Sequence, residues 1–253
     1  MNPLLVAASV VLLVLAGAAI GAFLRNRLPK HHLEDETKEM VKMGITFLST
    51  LAALVLGLII SSAKASFDTV SQQVETSAAQ ILQLDNNLQQ LGSSAGPARE
   101  LLRSMVSSRL AEYWGSDRPA NAQPAVGGAR NDLHELQKTL HALSPTGAAE
   151  HSAWSKALQT TDSLAQISSV VVAHSGSSIT MPLLVVLVFW LVIISVGINL
   201  FAPSNGTIRT VNVLCALSVA GAIFLILEMD HPYSGLLRVS DGPLRAVLVR
   251  LGN

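Results

Sequence analysis

The sequence predicts an all-α membrane protein with four transmembrane helices, two on each side of a helical domain that lies outside the membrane. Half of the 253 residues are apolar and only 13% are charged, whereas a soluble domain usually carries about 25% charged residues. Four stretches are apolar over about 20 residues, the length that crosses a bilayer as a helix, and no stretch alternates between apolar and polar residues as a strand would. The stretches are Pro3–Leu24, Met43–Ala63, Leu183–Phe201 and Thr210–Leu227.

Charge and cysteine content exclude several other classes of protein. The 17 basic and 17 acidic residues cancel, so a basic surface for nucleic acid is not expected. The single cysteine, Cys215, forms no intrachain disulfide and supplies no cysteine-based metal site. The predicted organisation is residues 1–63 for the first two spans with a polar loop at 25–42, 64–178 for the helical domain, 179–228 for the last two spans, and 229–253 for a C-terminal turn and amphipathic tail.

The first span is expected to stay in the protein as a transmembrane helix. It lacks a basic segment before it, its apolar run is too long for a secretory signal peptide, and Arg25 and Arg27 follow it. Gly17 and Gly21 are four residues apart, a spacing of small residues that lets a second helix approach closely.

A single helix is predicted from about Gly44 to Leu91, continuous from the second span into the helical domain. Mostly apolar residues recur along it at alternating spacings of three and four residues, as on the seam of a coiled coil. The seam consists of Phe67, Val70, Val74, Ser77, Ile81, Leu84, Leu88 and Leu91, and it extends backward through Ala63, Ile60, Leu56 and Ala53. The stretch from Gly92 to Pro97 is expected to end this helix.

Three further helices complete the predicted domain. One runs from Pro97 to Tyr113, a short one is capped by Asn131, and the last starts near Ala149 and leads toward the third span. Residues 116–130 contain two prolines and a Gly-Gly pair, so they are predicted to form a loop.

No catalytic motif is present in the sequence. A Walker loop, a nucleophile elbow, a zinc-protease helix and a dinucleotide fingerprint are all missing, so no enzymatic activity, catalytic residue, metal or other cofactor is expected. The most metal-like group consists of His31, His32, Glu34, Asp35 and Glu36. Adjacent histidines point apart on a helix, so a solvated loop with acids at a helix N-terminus is favoured over a metal site. His134 and His141 are interpreted as surface residues of a helix.

The segment after the fourth span concentrates acids, prolines, glycines and hydroxyl groups between Glu228 and Pro243. One interpretation is a structured turn or an ion contact just outside the membrane. The other is a helix-ending turn followed by an interfacial amphipathic piece. That piece would consist of Leu236, Leu237, Val239 and Leu244.

Three segments together resemble the bacterial bestrophin-like family, and the resemblance covers nearly the whole chain. They are Leu56-Gly57-Leu58 with Ser61-Ser62-Ala63-Lys64-Ala65-Ser66-Phe67-Asp68, then Glu228-Met229-Asp230-x-Pro232-Tyr233-x-Gly235, and Arg25-x-Arg27-Leu28-Pro29-x-His31-His32-Leu33. A more distant likeness to bestrophins lies in the arrangement of two plus two spans and in the turn after the last span. The post-span motif residues are Glu228, Asp230, Pro232, Tyr233 and Gly235.

The resemblance implies a pentameric ion channel whose second transmembrane helix lines the pore. When the likeness is anchored on Gly57, the pore-lining residues are Phe47, Thr50, Leu51, Leu54 and Leu58. This hydrophobic neck is aliphatic where bestrophins are rich in Phe. The acidic calcium-binding cluster of animal bestrophins is missing, so calcium gating is not expected.

The predicted function is therefore a homo-oligomeric, pentameric, bestrophin-like ion channel that crosses the bacterial inner membrane several times. Its partners are further copies of itself, membrane lipid and permeating inorganic ions, and no nucleic acid. The alternative is a non-conducting, membrane-anchored helical scaffold or signalling protein. The orientation stays open, because the bestrophin arrangement places the helical domain in the cytoplasm, whereas six basic residues near the short loops against three on the other side favour cytoplasmic short loops.

Overall fold

The computed structural model describes residues 2–29, 35–115, 126–174, 181–203 and 205–252. Within these ranges the chain forms eight α-helices, one short 3-10 helix and no strand, which confirms the all-α prediction. The α-helices are α1 (Pro3–Arg27), α2 (Asp35–Gln90), α3 (Gly96–Trp114), α4 (Val126–His141), α5 (Ala148–His174), α6 (Met181–Phe201), α7 (Gly206–Met229) and α8 (Gly242–Leu251), and the 3-10 helix is Gly92–Ala95. Helices α1, α2, α6 and α7 are long and apolar enough to cross a membrane, in the predicted order of two plus two.

Helix α2 is unbroken over 56 residues, about 84 Å at 1.5 Å per residue. It continues through the region between Ser61 and Phe67 without interruption, as predicted. It begins at Asp35, earlier than the expected Gly44, and its first turn contains two acids, which the positive end of the helix dipole stabilises. It ends before Gly92, whose φ of 69° is a left-handed conformation that favours glycine.

The chain divides into two compact units. Unit 1 comprises Met1–Ala65 and Ser178–Asp230, and unit 2 comprises Ser66–Ser177 and His231–Asn253. Helix α2 contributes its first part to unit 1 and its second part to unit 2. The C-terminal segment His231–Asn253 groups with Ser66–Ser177 in unit 2.

In unit 1, α1 packs closely on α6 and also contacts α7. A Cβ atom at Gly21 would overlap the carbonyl oxygen of Val196, and one at Gly17 would lie 3.0 Å from the carbonyl oxygen of Val192. The absence of side chains at these two positions therefore sets the distance between α1 and α6, as their spacing predicts.

Polar side chains also connect the helices of unit 1. The Ser195 hydroxyl donates to the carbonyl of Val14 at 2.9 Å, which links α6 to α1. The Asn212 amide donates to the Asn199 amide oxygen at 2.6 Å, which links α7 to α6. Polar groups inside a bilayer need such partners, because lipid chains offer no hydrogen bonds.

The core of unit 2 is built on the predicted seam of α2. Phe67 and Ser77 are half-buried, whereas the other six seam residues between Val70 and Leu91 are buried. The remaining buried apolar residues include Leu102, Met105 and Val106 of α3, Leu133, Leu136 and Leu140 of α4, Ala153, Ala157 and Leu164 of α5, and Leu244, Val247 and Leu251 of α8.

The start of α4 differs from the prediction. The helix begins at Val126 and includes Asn131 in its interior, so Asn131 does not cap it and residues 126–130 are helical. Residues 116–125 lie outside the described residues. Each glycine in a helix costs about 1 kcal/mol relative to alanine, and burial of Leu136 and Leu140 on the same helix outweighs this cost.

Glu150 caps the start of α5. Its carboxylate accepts hydrogen bonds from the backbone N–H of Thr146 at 2.9 Å, the backbone N–H of Gly147 at 3.4 Å and the Thr146 hydroxyl at 3.2 Å. These bonds, with the Thr146 backbone bond the largest, hold the pKa of Glu150 below its ordinary value.

An ion pair between the buried Asp85 and the half-buried Arg99 joins α2 to α3 across the turn at Gly92. The carboxylate of Asp85 is buried and accepts from Arg99 Nε and from Gln89 Nε2, both at 2.7 Å. The pair fixes the direction in which α3 leaves the end of α2.

Candidate functional site

The first part of α2 presents an apolar stripe on its outer face. Phe47, Leu51, Leu54 and Leu58 follow one another in steps of four, three and four residues, which places them on one side of a helix. The side chains of Phe47, Leu54 and Leu58 are exposed by 67%, 67% and 65% in the single subunit. Leu51 is half-buried and Thr50 is exposed. The expected pore-lining residues therefore share a face that their own subunit leaves largely uncovered.

The opposite face of α2 is covered by the helices of unit 1. Ala52, Ile59 and Ala63 are buried in a core shared with α6 and α7. Ala53 and Ile60, which the backward extension of the seam includes, are exposed. Within the span, the buried residues Ala52 and Ile59 thus lie one position before Ala53 and Ile60, the residues that the seam predicted to be buried.

Helix α2 is the least covered of the four candidate spans. In its most apolar stretch of 18 residues only 11% are buried, compared with 28% in α1, 17% in α6 and 28% in α7. Exposed apolar surface in a membrane protein faces lipid, another subunit or a pore. Much of the α2 surface is therefore available for one of these contacts.

Hydroxyl groups accompany the apolar stripe on α2. Thr46 donates to the carbonyl of Lys42 at 2.9 Å, and Thr50 donates to the carbonyl of Thr46 at 3.0 Å. Both donors are thus satisfied within the helix, and the hydroxyl oxygens keep the capacity to accept a hydrogen bond from water.

The post-span motif begins at the end of α7. Glu228 is buried, and Asp230 is the residue that ends the helix. The chain then turns: the backbone N–H of Val239 donates to the carbonyl of Pro232 at 2.8 Å, and Gly235 has a φ of 92°, which favours glycine.

Tyr233 anchors this turn in unit 2. Its ring lies 4.7 Å from that of Tyr113 and 5.5 Å from that of Trp114, centroid to centroid and edge to face. The indole N–H of Trp114 donates to the carbonyl of Val239 at 2.8 Å. The segment is therefore a structured turn, as one of the two interpretations expects.

The amphipathic piece of the other interpretation is wrong in part. Leu236 and Leu237 are exposed, whereas Val239 and Leu244 are buried in the core of unit 2. Packing against α3 withdraws these two side chains from the surface, so they do not form an interfacial apolar face.

The candidate metal ligands are not brought together among the described residues. His31, His32 and Glu34 lie outside the described residues, and Asp35 and Glu36 are exposed in the first turn of α2. His134 is exposed, and His141 lies beside Trp154 with ring centroids 6.3 Å apart. Across the described parts of the chain, no group of three or more His, Cys, Asp or Glu side chains is placed to hold a metal ion.

Two contacts in the structure were not expected from the sequence, one without any local signal and one with a weak signal. The contact of Tyr233 with Tyr113 joins residues that are 120 positions apart, and no periodicity reports such a pair. The bond between Asn199 and Asn212 had a weak signal, because two amides stand within apolar segments, where polar side chains usually connect helices.

Comparison with known families matches the sequence signals. A family model described as the bestrophin-like domain matches residues 12–244, which is most of the 253 residues and includes all four candidate spans in large part. Neither the curated proteins nor the solved structures yielded a match. With two apolar helices before a helical domain along the chain, two after it, and a family match over nearly its whole length, the chain belongs to the bestrophin-like family.

Proposed function

We propose that the protein is a homo-oligomeric, pentameric ion channel in which α2 lines the pore and supplies a hydrophobic neck. Membership of the bestrophin-like family supports an ion-channel-like protein, and bestrophins, which the family resembles distantly, are pentameric channels with the second helix at the pore. The pore-lining residues are Phe47, Thr50, Leu51, Leu54 and Leu58.

The observation that carries this proposal is the exposed apolar stripe on the least covered span. Leu54 and Leu58 are about two-thirds exposed in the single subunit, at 67% and 65%. When subunits surround an axis, such a stripe repeats as stacked rings of apolar side chains. Closed symmetric rings are a common form of homo-oligomer.

A neck of this kind needs no charged residue. The span stretch from Met43 to Ala63 contains no Asp, Glu, Lys or Arg, and charged residues inside spans usually mark ion pathways. A narrow apolar ring, however, blocks ions by excluding water and conducts when it widens enough to hydrate. The composition of α2 therefore favours gating by hydration over selection by charge at the neck.

The proposal includes the cellular setting. The protein would cross the bacterial inner membrane four times, contact lipid on the outside of the ring and pass inorganic ions through its centre. It would catalyse no reaction and bind no nucleic acid.

The test is a pair of measurements on the purified full chain. Native mass spectrometry in mild detergent should give five copies of the 26.7 kDa chain, and planar bilayers under asymmetric salt should show discrete currents, which protein-free bilayers from the same lipid lack. A monomer, or a ring without current under a range of voltages and salts, would contradict the channel. The second result would favour the non-conducting scaffold.

A further inference from the structure

A partly open cavity of about 140 Å³ lies inside unit 2, between α2, α3, α4, α5 and the C-terminal segment. Its buried lining residues are aliphatic or methionine, among them Met105, Leu133 and Leu164. Its half-buried lining residues include Ser77 and Ser168, which carry hydroxyl groups. The buried part of the lining is therefore apolar, and two hydroxyl-bearing residues stand in its partly exposed part.

The seam of α2 explains why this space is present. Ser77 occupies a seam position between Val74 and Ile81, and all three residues line the cavity. The neighbouring seam positions carry larger apolar side chains that pack in the core, whereas the serine side chain has two heavy atoms fewer than that of leucine. The volume that an apolar residue would occupy at position 77 is thus left open.

The charge near the cavity is compensated. The guanidinium of Arg109 lies 3.0 Å from the carboxylate of Asp132 and 3.3 Å from that of Glu112. A cation bound by two carboxylates offers little attraction to an anionic ligand. The site is therefore unsuited to a carboxylate or a phosphate.

The aromatic residues at the cavity do not form a cage for a cation. The rings of Tyr113, Trp114 and Tyr233 lie 4.7–5.8 Å from one another, so they contact each other. A cation cage needs ring faces that surround an ammonium group, and rings in mutual contact leave no room for one between them. The three rings therefore do not form a cage for a quaternary ammonium ligand.

We propose that this cavity is a binding site for a small uncharged molecule with an aromatic or aliphatic body between benzene and indole in size. An engineered apolar cavity of about 150 Å³ binds benzene, so a volume of about 140 Å³ holds one ring of that size. Because the cavity is partly open, the rest of a larger ligand such as indole would extend toward the opening. The apolar body would contact the buried part of the lining, and a hydroxyl or N–H group of the ligand would lie toward its partly exposed part. The site does not depend on the proposed ion conduction, because its occupancy is measured as binding.

The test uses indole as the probe and the full chain in lipid nanodiscs with ¹³C-methyl-labelled methionine. The chain has six methionines, and Met105 lines the cavity. Indole should shift the Met105 methyl resonance saturably, through the ring current of the bound probe, and leave the methionines in the apolar spans unchanged. Assignment of Met105 comes from the Met105→Leu variant.

Two variants fill the cavity and one matched variant does not. Ser77→Leu should weaken indole binding at least tenfold, and Ser168→Leu adds the same two heavy atoms to the lining from α5. Ser104→Leu makes the same change as the first at an exposed position outside the lining and should keep the affinity of the unmodified chain. The remaining methionine resonances report whether each variant is folded.

Three results would overturn the proposal. One is a Met105 resonance that does not move up to the solubility limit of indole. Another is an equal, non-saturating shift of all methionines, which reports partition into lipid. The third is unchanged affinity for indole in every folded variant at position 77 or 168. Loss of indole binding in either of these variants when it is folded, with binding kept in Ser104→Leu, supports the site.

Discussion

Truncation of the apolar stripe on α2 should raise ion conduction at a small cost to the stability of the subunit. Leu54 is 67% exposed, so about a third of its surface is covered by its own subunit. A fully buried Leu→Ala change costs about 2.7–5.0 kcal/mol, and a third of that range is about 1–2 kcal/mol. Ile223→Ala, at a fully buried position, should cost the full amount of about 2–5 kcal/mol.

The expected gain in current follows from hydration of the neck. Leu54→Ala widens the ring, and Leu58→Ser adds hydroxyl groups that hold water where leucine excludes it. If either change lowers the barrier for an ion by about 1.4 kcal/mol, conduction rises about tenfold. Single-channel recording in planar bilayers measures this rise, and native mass spectrometry of the same samples shows whether the ring stays intact.

Leu12→Ala is the matched control, because Leu12 is 69% exposed on α1, a span that is not placed at the pore. It should leave both current and assembly unchanged. If Leu54→Ala leaves the currents unchanged and lowers the unfolding temperature as much as Ile223→Ala does, the stripe is a packed interface and the neck assignment is wrong.

Three further predictions concern stability. Gly21→Ala should lower the unfolding temperature, because the added Cβ would overlap α6. Gly57→Ala places a Cβ with no atom within 4 Å, so it should preserve the stability of the subunit or raise it by up to about 1 kcal/mol. Equal effects of the two variants in thermal unfolding would refute the close contact at Gly21. Arg99→Ala should cost about 1–3 kcal/mol, because it removes the charged partner of the buried Asp85 carboxylate, while Arg99 itself is about a third exposed. Asp85→Asn in the same chain should restore part of this loss in denaturant titrations, and no recovery would contradict the pairing. Folding lowers the pKa of Glu150, so its contribution to folding stability is present above the unfolded pKa of about 4.3 and is lost as pH falls through the folded pKa. The difference in unfolding temperature between the unmodified chain and Glu150→Gln should therefore shrink from pH 7 to pH 3. A difference that stays constant over this range would argue against the cap.

The elements of the fold could be predicted from the sequence because their causes are local. A span is recognised by about 20 apolar residues in a row, and the seam from Val70 to Leu91 by contacts between residues three or four positions apart. Both signals are complete within a short stretch of chain. The continuous helix α2 and the arrangement of two plus two spans follow from them, whereas the start of α4 was missed because burial of its leucines outweighs a pair of glycines.

The covered face of the second span could not be derived in the same way. A span is apolar on every side, so periodicity selects a stripe without showing whether protein or lipid covers it. The structure buries Ala52 and Ile59 and leaves Ala53 and Ile60 exposed. The placement of Leu54 and Leu58 in a pore stays a prediction, because it depends on further subunits.

By itself, the sequence determined that this is an all-α chain with four helices apolar enough to span a membrane, one long helix and the motifs of the bestrophin-like family. Only the tertiary structure decided that Tyr233 of the post-span turn packs on Trp114, that Val239 and Leu244 are buried, and that Ser77 borders a cavity. These contacts join residues far apart along the chain. Their partners are chosen by the shapes and volumes that meet in a close-packed core, and no pattern within a single helix contains that information.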